Sequence, residues 1–229
     1  MNTVGSRKAR VRTRARLARE ERRRQILTIA TKQFAATGLG STTTIQLAGA
    51  MGISESVLYT HFETKRGLFE AAVQRNTDQR LAELQERFTS IPNLAPVECI
   101  ELMAEATILA CAEGECNAAL MAWALMETPE FAVEVYRFEI GSAAAIWDAE
   151  IAKRFAGSAV RSRLAVHLAP YAVHACMSFG FWLAALRHQP ATAAAHARQY
   201  AGGLADATRT VLGLQAESLG RADCDASVG

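Results

Sequence analysis

At 229 residues, half of them hydrophobic and 21% charged, the chain is long enough to bury a sizeable core and too apolar to remain unfolded as a whole. Its formal net charge of +2 hides a division: residues 1 to 24 carry +8 and the remainder carries −6, so the basic charge is a tail rather than a property of the entire surface. Cys99, Cys111, Cys116, Cys176 and Cys224 are an odd number without paired metal-type spacing, which argues against a disulfide framework and for reduced thiols in a cytoplasm.

The tail comes first. Arg7, Lys8, Arg10, Arg12, Arg14, Arg16 and Arg19 alternate with small or apolar residues and show no hydrophobic periodicity, so residues 1–19 are expected to be a basic arm, disordered in isolation, that binds phosphates without reading sequence. A solubility tail or an Arg-rich targeting leader has the same composition; no apolar leader is present. From about Glu20 to Thr37 the spacing predicts a helix with Ile26, Leu27, Ala30 and Phe34 on one stripe and Gly38 as its left-handed stop.

Residues 42–65 then read as helix, tight turn, helix. Thr43 with Gln46 forms a capping box, Leu47, Ala48 and Met51 make the core face, and Gly49 sits inside the helix, where it costs roughly 1 kcal/mol relative to Ala unless close packing requires it. Gly52 supplies the positive φ of the turn, Ile53 fills the angle, and Ser54 caps the next helix. Leu58 and Phe62, four apart, must point inward, which leaves Glu55, Ser56, Val57, Tyr59 and Thr60 outward. This is the arrangement of a helix-turn-helix reader of double-stranded DNA. Thr64 caps a fourth helix that continues toward Phe88.

Beyond Pro96 the chain is helical throughout, with expected helices at about 96–113, 117–127, 130–156, 159–187 and 190–213, broken at Pro129, Gly157 and Pro190. The fold class is therefore all-α: a helix-turn-helix domain at 20–66, a larger helical domain at 67–214 and a flexible tail at 215–229. Leu164 to Leu186 lacks Asp, Glu, Lys and Arg and is long enough to cross a bilayer. His167, Pro170, Tyr171, His174 and Ser178 are unwelcome beside lipid, and a helix buried between its own domain and a partner subunit has the same composition, so burial is expected and a membrane anchor is the competing reading.

Residues 20–73 resemble the DNA-binding domain of the TetR family of bacterial transcriptional regulators, on the ordered set Ala30, Phe34, Gly38, Thr43, Leu47, Ala48, Gly52, Ile53, Ser54, Leu58, Tyr59, His61, Phe62, Lys65, Leu68 and Val73. Gln46, Gly49 and Glu55 depart from the family's usual residues, and Glu55 suits a cytosine amino group. The resemblance implies a homodimer, its last two long helices forming a four-helix bundle with their mates, and a small-molecule effector that enters the C-terminal domain and releases a palindromic operator.

At the DNA, Thr43, Tyr59, His61 and Lys65 are the phosphate candidates, Glu55, Ser56, Val57 and Thr60 the base candidates, and Ser54 the cap between them. In the second domain Met103, Trp123, Met126, Phe138 and Trp147, with His167 and His174, are candidate effector contacts, although a plain core shows the same spacing. The two histidines, seven residues apart, stand about 10 Å from one another along a helix, so no shared metal is expected. Phe179, Trp182, Leu183, Leu186, Tyr200, Leu204 and Val211 are dimer-face candidates, and a thiol-based redox regulator is a further competing reading. No nucleophile elbow, phosphate loop or metal-binding pair occurs, so neither catalysis nor a cofactor is expected.

Overall fold

A computed structural model of the protein describes residues 3–114, 116–156, 169–185 and 190–212, and among them every regular element is a helix. In chain order these are α1 (Thr3–Ser41), α2 (Thr44–Met51), α3 (Glu55–His61), α4 (Lys65–Thr89), α5 (Pro96–Ala112), α6 (Asn117–Leu125), α7 (Pro129–Arg154), α8 (Ala169–Ala185) and α9 (Pro190–Leu212). Three of them begin on a proline, whose fixed φ suits a first turn and whose missing N–H would have had no partner there.

Two compact units result, Met1–Asp78 with Ala119–Pro129, and Gln79–Ala118 with Glu130–Gly229. The first unit runs through Asp78 and takes in α6 from Ala119 onward. The backbone of the basic arm differs from expectation, being helical from Thr3 onward and continuous with α1. No Pro interrupts this stretch, and its Arg, Ala and Leu residues are good helix formers.

In the first unit α1 breaks at Gly38, where φ is 74°, and its earlier part buries Ile26, Leu27, Ala30 and Phe34. Phe34 meets Phe69 of α4 edge to face at 5.1 Å, and Leu47, Leu58, Phe62 and Leu68 complete the core. Burying each such side chain contributes about 1.5–3 kcal/mol, far more than the propensity of helices as short as α2 and α3.

The second unit packs α5 at its centre against α8 and α9. Its core joins Phe88, Ile100, Met103, Ile108, Trp147 and Val173 among others. At Gly180 the α8 backbone lies so near α5 that a Cβ would stand 2.5 Å from the Ile108 carbonyl oxygen and 2.6 Å from Cys111 Cβ. Arg154 ties α7 to the end of α4, its guanidinium donating to the carbonyls of Phe88 and Ile91 at 2.9 Å and of Pro92 at 2.8 Å while it pairs with Glu150.

Candidate nucleic-acid interface

The α2–turn–α3 segment is built by local hydrogen bonds that its residue types dictate. Thr43 is extended, its Oγ1 accepts the Gln46 N–H at 3.2 Å, and Gln46 Oε1 accepts the Thr43 N–H at 2.9 Å, closing the capping box. Gly52 adopts φ 63° and ψ 34°, a left-handed geometry that Gly takes without strain, and the chain reverses. Ser54 Oγ then accepts the Val57 N–H at 3.4 Å and exchanges a bond with Ser56 Oγ at 2.8 Å. With Leu58 and Phe62 anchored in the core, α3 is held at its start and along one side. Gly49 is exposed with open space around it, so close packing does not explain it.

Ser56, Val57, Tyr59 and Thr60 all face solvent on α3. Val57 and Tyr59 are 39% and 45% exposed. Thr60 Oγ1 donates to the Val57 carbonyl at 2.7 Å, which leaves its lone pairs as acceptors only. Glu55 is less available than the sequence suggests. It is half-buried, and its Oε2 accepts the Thr44 hydroxyl at 2.5 Å, bracing the first turn of α3 on the first turn of α2. The sequence reading missed Ile45, 71% exposed on α2 one residue from this brace; a β-branched apolar side chain among polar neighbours was the available signal.

A basic flank borders the C-terminal end of α3. Arg23 donates to the His61 carbonyl at 2.7 Å and lays its guanidinium 4.0 Å from the centre of the Phe62 ring; Arg19 donates to the Thr60 carbonyl at 3.4 Å. Burial, then the charges of Arg19, Arg23 and Arg22, hold the His61 imidazole below its ordinary pKa. Arg19 was expected among the arm's phosphate contacts, and the grip of both arginines on the last carbonyls of α3 was not foreseen. Lys65 is likewise committed: its Nζ donates to the carbonyls of Leu39 and Thr42, both at 2.8 Å. An ammonium has three donors, so one remains for a phosphate.

The candidate effector contacts are distributed over both units. Met103 and Trp147 are sealed in the core of the second unit, Trp147 donating to Thr107 Oγ1 at 3.0 Å. Phe138 and His174 are exposed there, His174 standing edge-on to Tyr136 at 5.6 Å. Trp123 belongs to the first unit, where it lies over Gly38 and donates to the Ala35 carbonyl at 3.3 Å, and Met126 lies exposed in the same unit. His167 falls outside the described residues. Helical periodicity separates inner from outer faces but carries no information on which helices meet.

Of the dimer-face candidates, Phe179, Trp182, Tyr200 and Leu204 line an apolar groove between α8 and α9 of about 570 Å³, with Phe179 stacked on Tyr200 at 4.3 Å. Leu183 is instead buried in the unit's own core, while Leu186 and Val211 are not described at side-chain level. Burial pushes the thiols of Cys111 and Cys176 up to about 11 and about 12, and raises that of Cys99, so all three are protonated at neutral pH and weak as redox nucleophiles. Among the described residues no helix is long and apolar enough to cross a membrane, and no group of three or more His, Cys, Asp or Glu is placed to hold a metal.

Comparison with known proteins bears on both units. Residues 26–72 match the family of bacterial regulatory proteins, tetR family. Over 71 residues the chain is 35% identical to the HTH-type transcriptional activator FasR of Mycolicibacterium smegmatis, a match that spans 31% of this chain and 32% of that relative's length. In fold it is similar to a TetR-family transcriptional regulator from Mesorhizobium loti, at 18% identity and a TM-score of 0.61, covering 84% of this chain and 97% of the other. It is similar also to FadR from Bacillus subtilis, solved in complex with stearoyl-CoA, at 12% identity and a TM-score of 0.58, covering 80% and 96%.

Proposed function

By its N-terminal domain the chain belongs to the TetR family of bacterial transcriptional regulators, and from that premise we propose that it is a cytoplasmic homodimeric repressor, released from a near-palindromic operator by a small-molecule effector. One observation carries the reading: α3 is anchored by Leu58 and Phe62 yet presents Ser56, Val57, Tyr59 and Thr60 to solvent beside Arg19 and Arg23. Ser56, Val57 and Thr60 supply base contacts, with Glu55 held by Thr44 at their edge; Thr43, Tyr59, His61 and the third donor of Lys65 supply phosphate contacts, and Ser54 keeps the helix start in place.

The groove between α8 and α9 supports dimerisation, because an exposed apolar surface with a half-exposed Trp182 is removed from water when a second copy covers it. Two-fold symmetry then spaces the readers about 34–36 Å apart, one turn of B-DNA. The likeness in fold to a regulator solved with stearoyl-CoA supports a small-molecule effector.

The test is selection of bound fragments from the source genome by the purified protein, followed by a reporter fused to the recovered promoter. Recovery of inverted repeats and a rise in reporter output on deletion of the regulator are expected. Failure to enrich any duplex over random competitor removes the regulator reading, and a fall in output on deletion makes the protein an activator.

A further inference from the structure

The face of α1 that packs on the reader does not end with its apolar residues. α1 is helical from Thr3 up to its break at Gly38, and the buried stripe Phe34, Ala30 and Ile26 continues toward the N-terminus through Arg23, Arg19, Arg16, Arg12 and Lys8, in steps of three and four. Arg23 and Arg19 fix where this stripe runs, because they donate to the His61 and Thr60 carbonyls at the C-terminal end of α3. Arg16 stands one turn further out, its side chain 73% exposed and 3.7 Å from Glu20, an ion pair too open to occupy it. Arg7, Arg10 and Arg14 fall on a second stripe, on the opposite side of the same helix. Residues 1–19 contain no Asp or Glu, so α1 leaves the domain as a basic rod, running about 16 Å from Arg19 back to Lys8.

We propose that α1 makes a second, sequence-independent DNA contact, in which Lys8, Arg12 and Arg16 grip backbone phosphates of the duplex flanking the site read by α3, while the stripe of Arg7, Arg10 and Arg14 does not. Continuity selects the partner. The basic stripe begins at exposed Thr60 and at His61, so a duplex seated on α3 lies at the root of the rod and carries the opposite charge. Like charges four residues apart also repel along a helix, and a polyanion laid along the stripe relieves that repulsion. This inference rests on the regulator reading above and adds a grip set by helical register rather than by a loose basic chain.

Two full-length variants remove the same number of charges from opposite stripes, K8Q/R12Q/R16Q and R7Q/R10Q/R14Q. Binding to the duplex recovered by the fragment selection above is followed by fluorescence anisotropy over a salt series, beside a duplex of random sequence. K8Q/R12Q/R16Q is expected to lose about tenfold or more in affinity, with a log–log salt slope shallower by up to about 5, at about 0.9 for each of six phosphates released by a dimer. R7Q/R10Q/R14Q is expected to change affinity by less than about threefold, since charges turned away from the duplex are screened. Inserting two alanines after Leu17 turns the arm by about 200°, and in that background the loss is expected to follow substitution of Arg7, Arg10 and Arg14 instead. Equal losses from the two stripes, no loss from either, or a loss that does not move with the insertion overturn the proposal. Preference of the wild type for the recovered duplex over random competitor is measured first. Its absence removes the regulator reading and this inference together, whereas its presence with equal stripes removes this inference alone.

Discussion

Lys65 joins a structural role to a proposed phosphate contact on one nitrogen. Its bonds to the Leu39 and Thr42 carbonyls close the turn between α1 and α2, so Lys65→Ala removes two charge-assisted hydrogen bonds as well as the proposed phosphate contact. The variant is expected to lose about 1–3 kcal/mol of stability in urea and to bind cognate and random duplex more weakly by a similar factor. Unchanged stability would show that these carbonyls do not depend on the ammonium. His61 makes a pH-dependent prediction. Held below its ordinary pKa by burial and by Arg19, Arg23 and Arg22, it takes up a proton less readily than in the unfolded chain, so acidification through about 6.5 destabilises the free domain. A phosphate against the ring reverses that preference. Operator affinity at constant ionic strength is therefore expected to rise as pH falls, and to rise less in His61→Gln; parallel slopes would remove His61 from the phosphate contacts.

At the scale of elements, the tightest constraint is the seat of α8 on α5. Gly180→Ala sets a methyl against the Ile108 carbonyl oxygen and Cys111 Cβ, backbone and near-backbone atoms that cannot swing aside. A loss of about 1–3 kcal/mol is expected, read as a lower melting temperature by circular dichroism, with the isolated caps of α2 and α3 unaffected. Those caps show what was legible in advance. Thr43, Gln46, Gly52 and Ser54 act within a few residues of themselves, and prolines mark the starts of α5, α7 and α9, so both were readable from the chain. The brace from Thr44 to Glu55, the arginines on the α3 carbonyls and the pairing of Arg80 with Glu139 were not. Their partners lie many residues away, and a charged residue on a helix looks the same in sequence whether it meets solvent or another helix.

For the whole molecule, the proposed function depends on a second copy. If the groove lined by Phe179, Trp182, Tyr200 and Leu204 is covered in the dimer, then Trp182→Glu places a charge in an apolar interface. Light scattering on the eluting protein is expected to report a monomer whose helical content is unchanged and whose affinity for a palindrome falls to that for a half-site. A dimer persisting at micromolar concentration would move the interface elsewhere.

The position of α6 governs how this protein can be divided. Because Trp123 roofs Gly38 and bonds to Ala35, the compact body that contains the reader is not one uninterrupted stretch of gene. A fragment stopped at residue 78 would leave the bed of that indole open to water, whereas one that rejoins 119–129 through a short graft would keep it closed. Engineers who wish to transplant this DNA specificity onto a foreign sensor should carry both pieces.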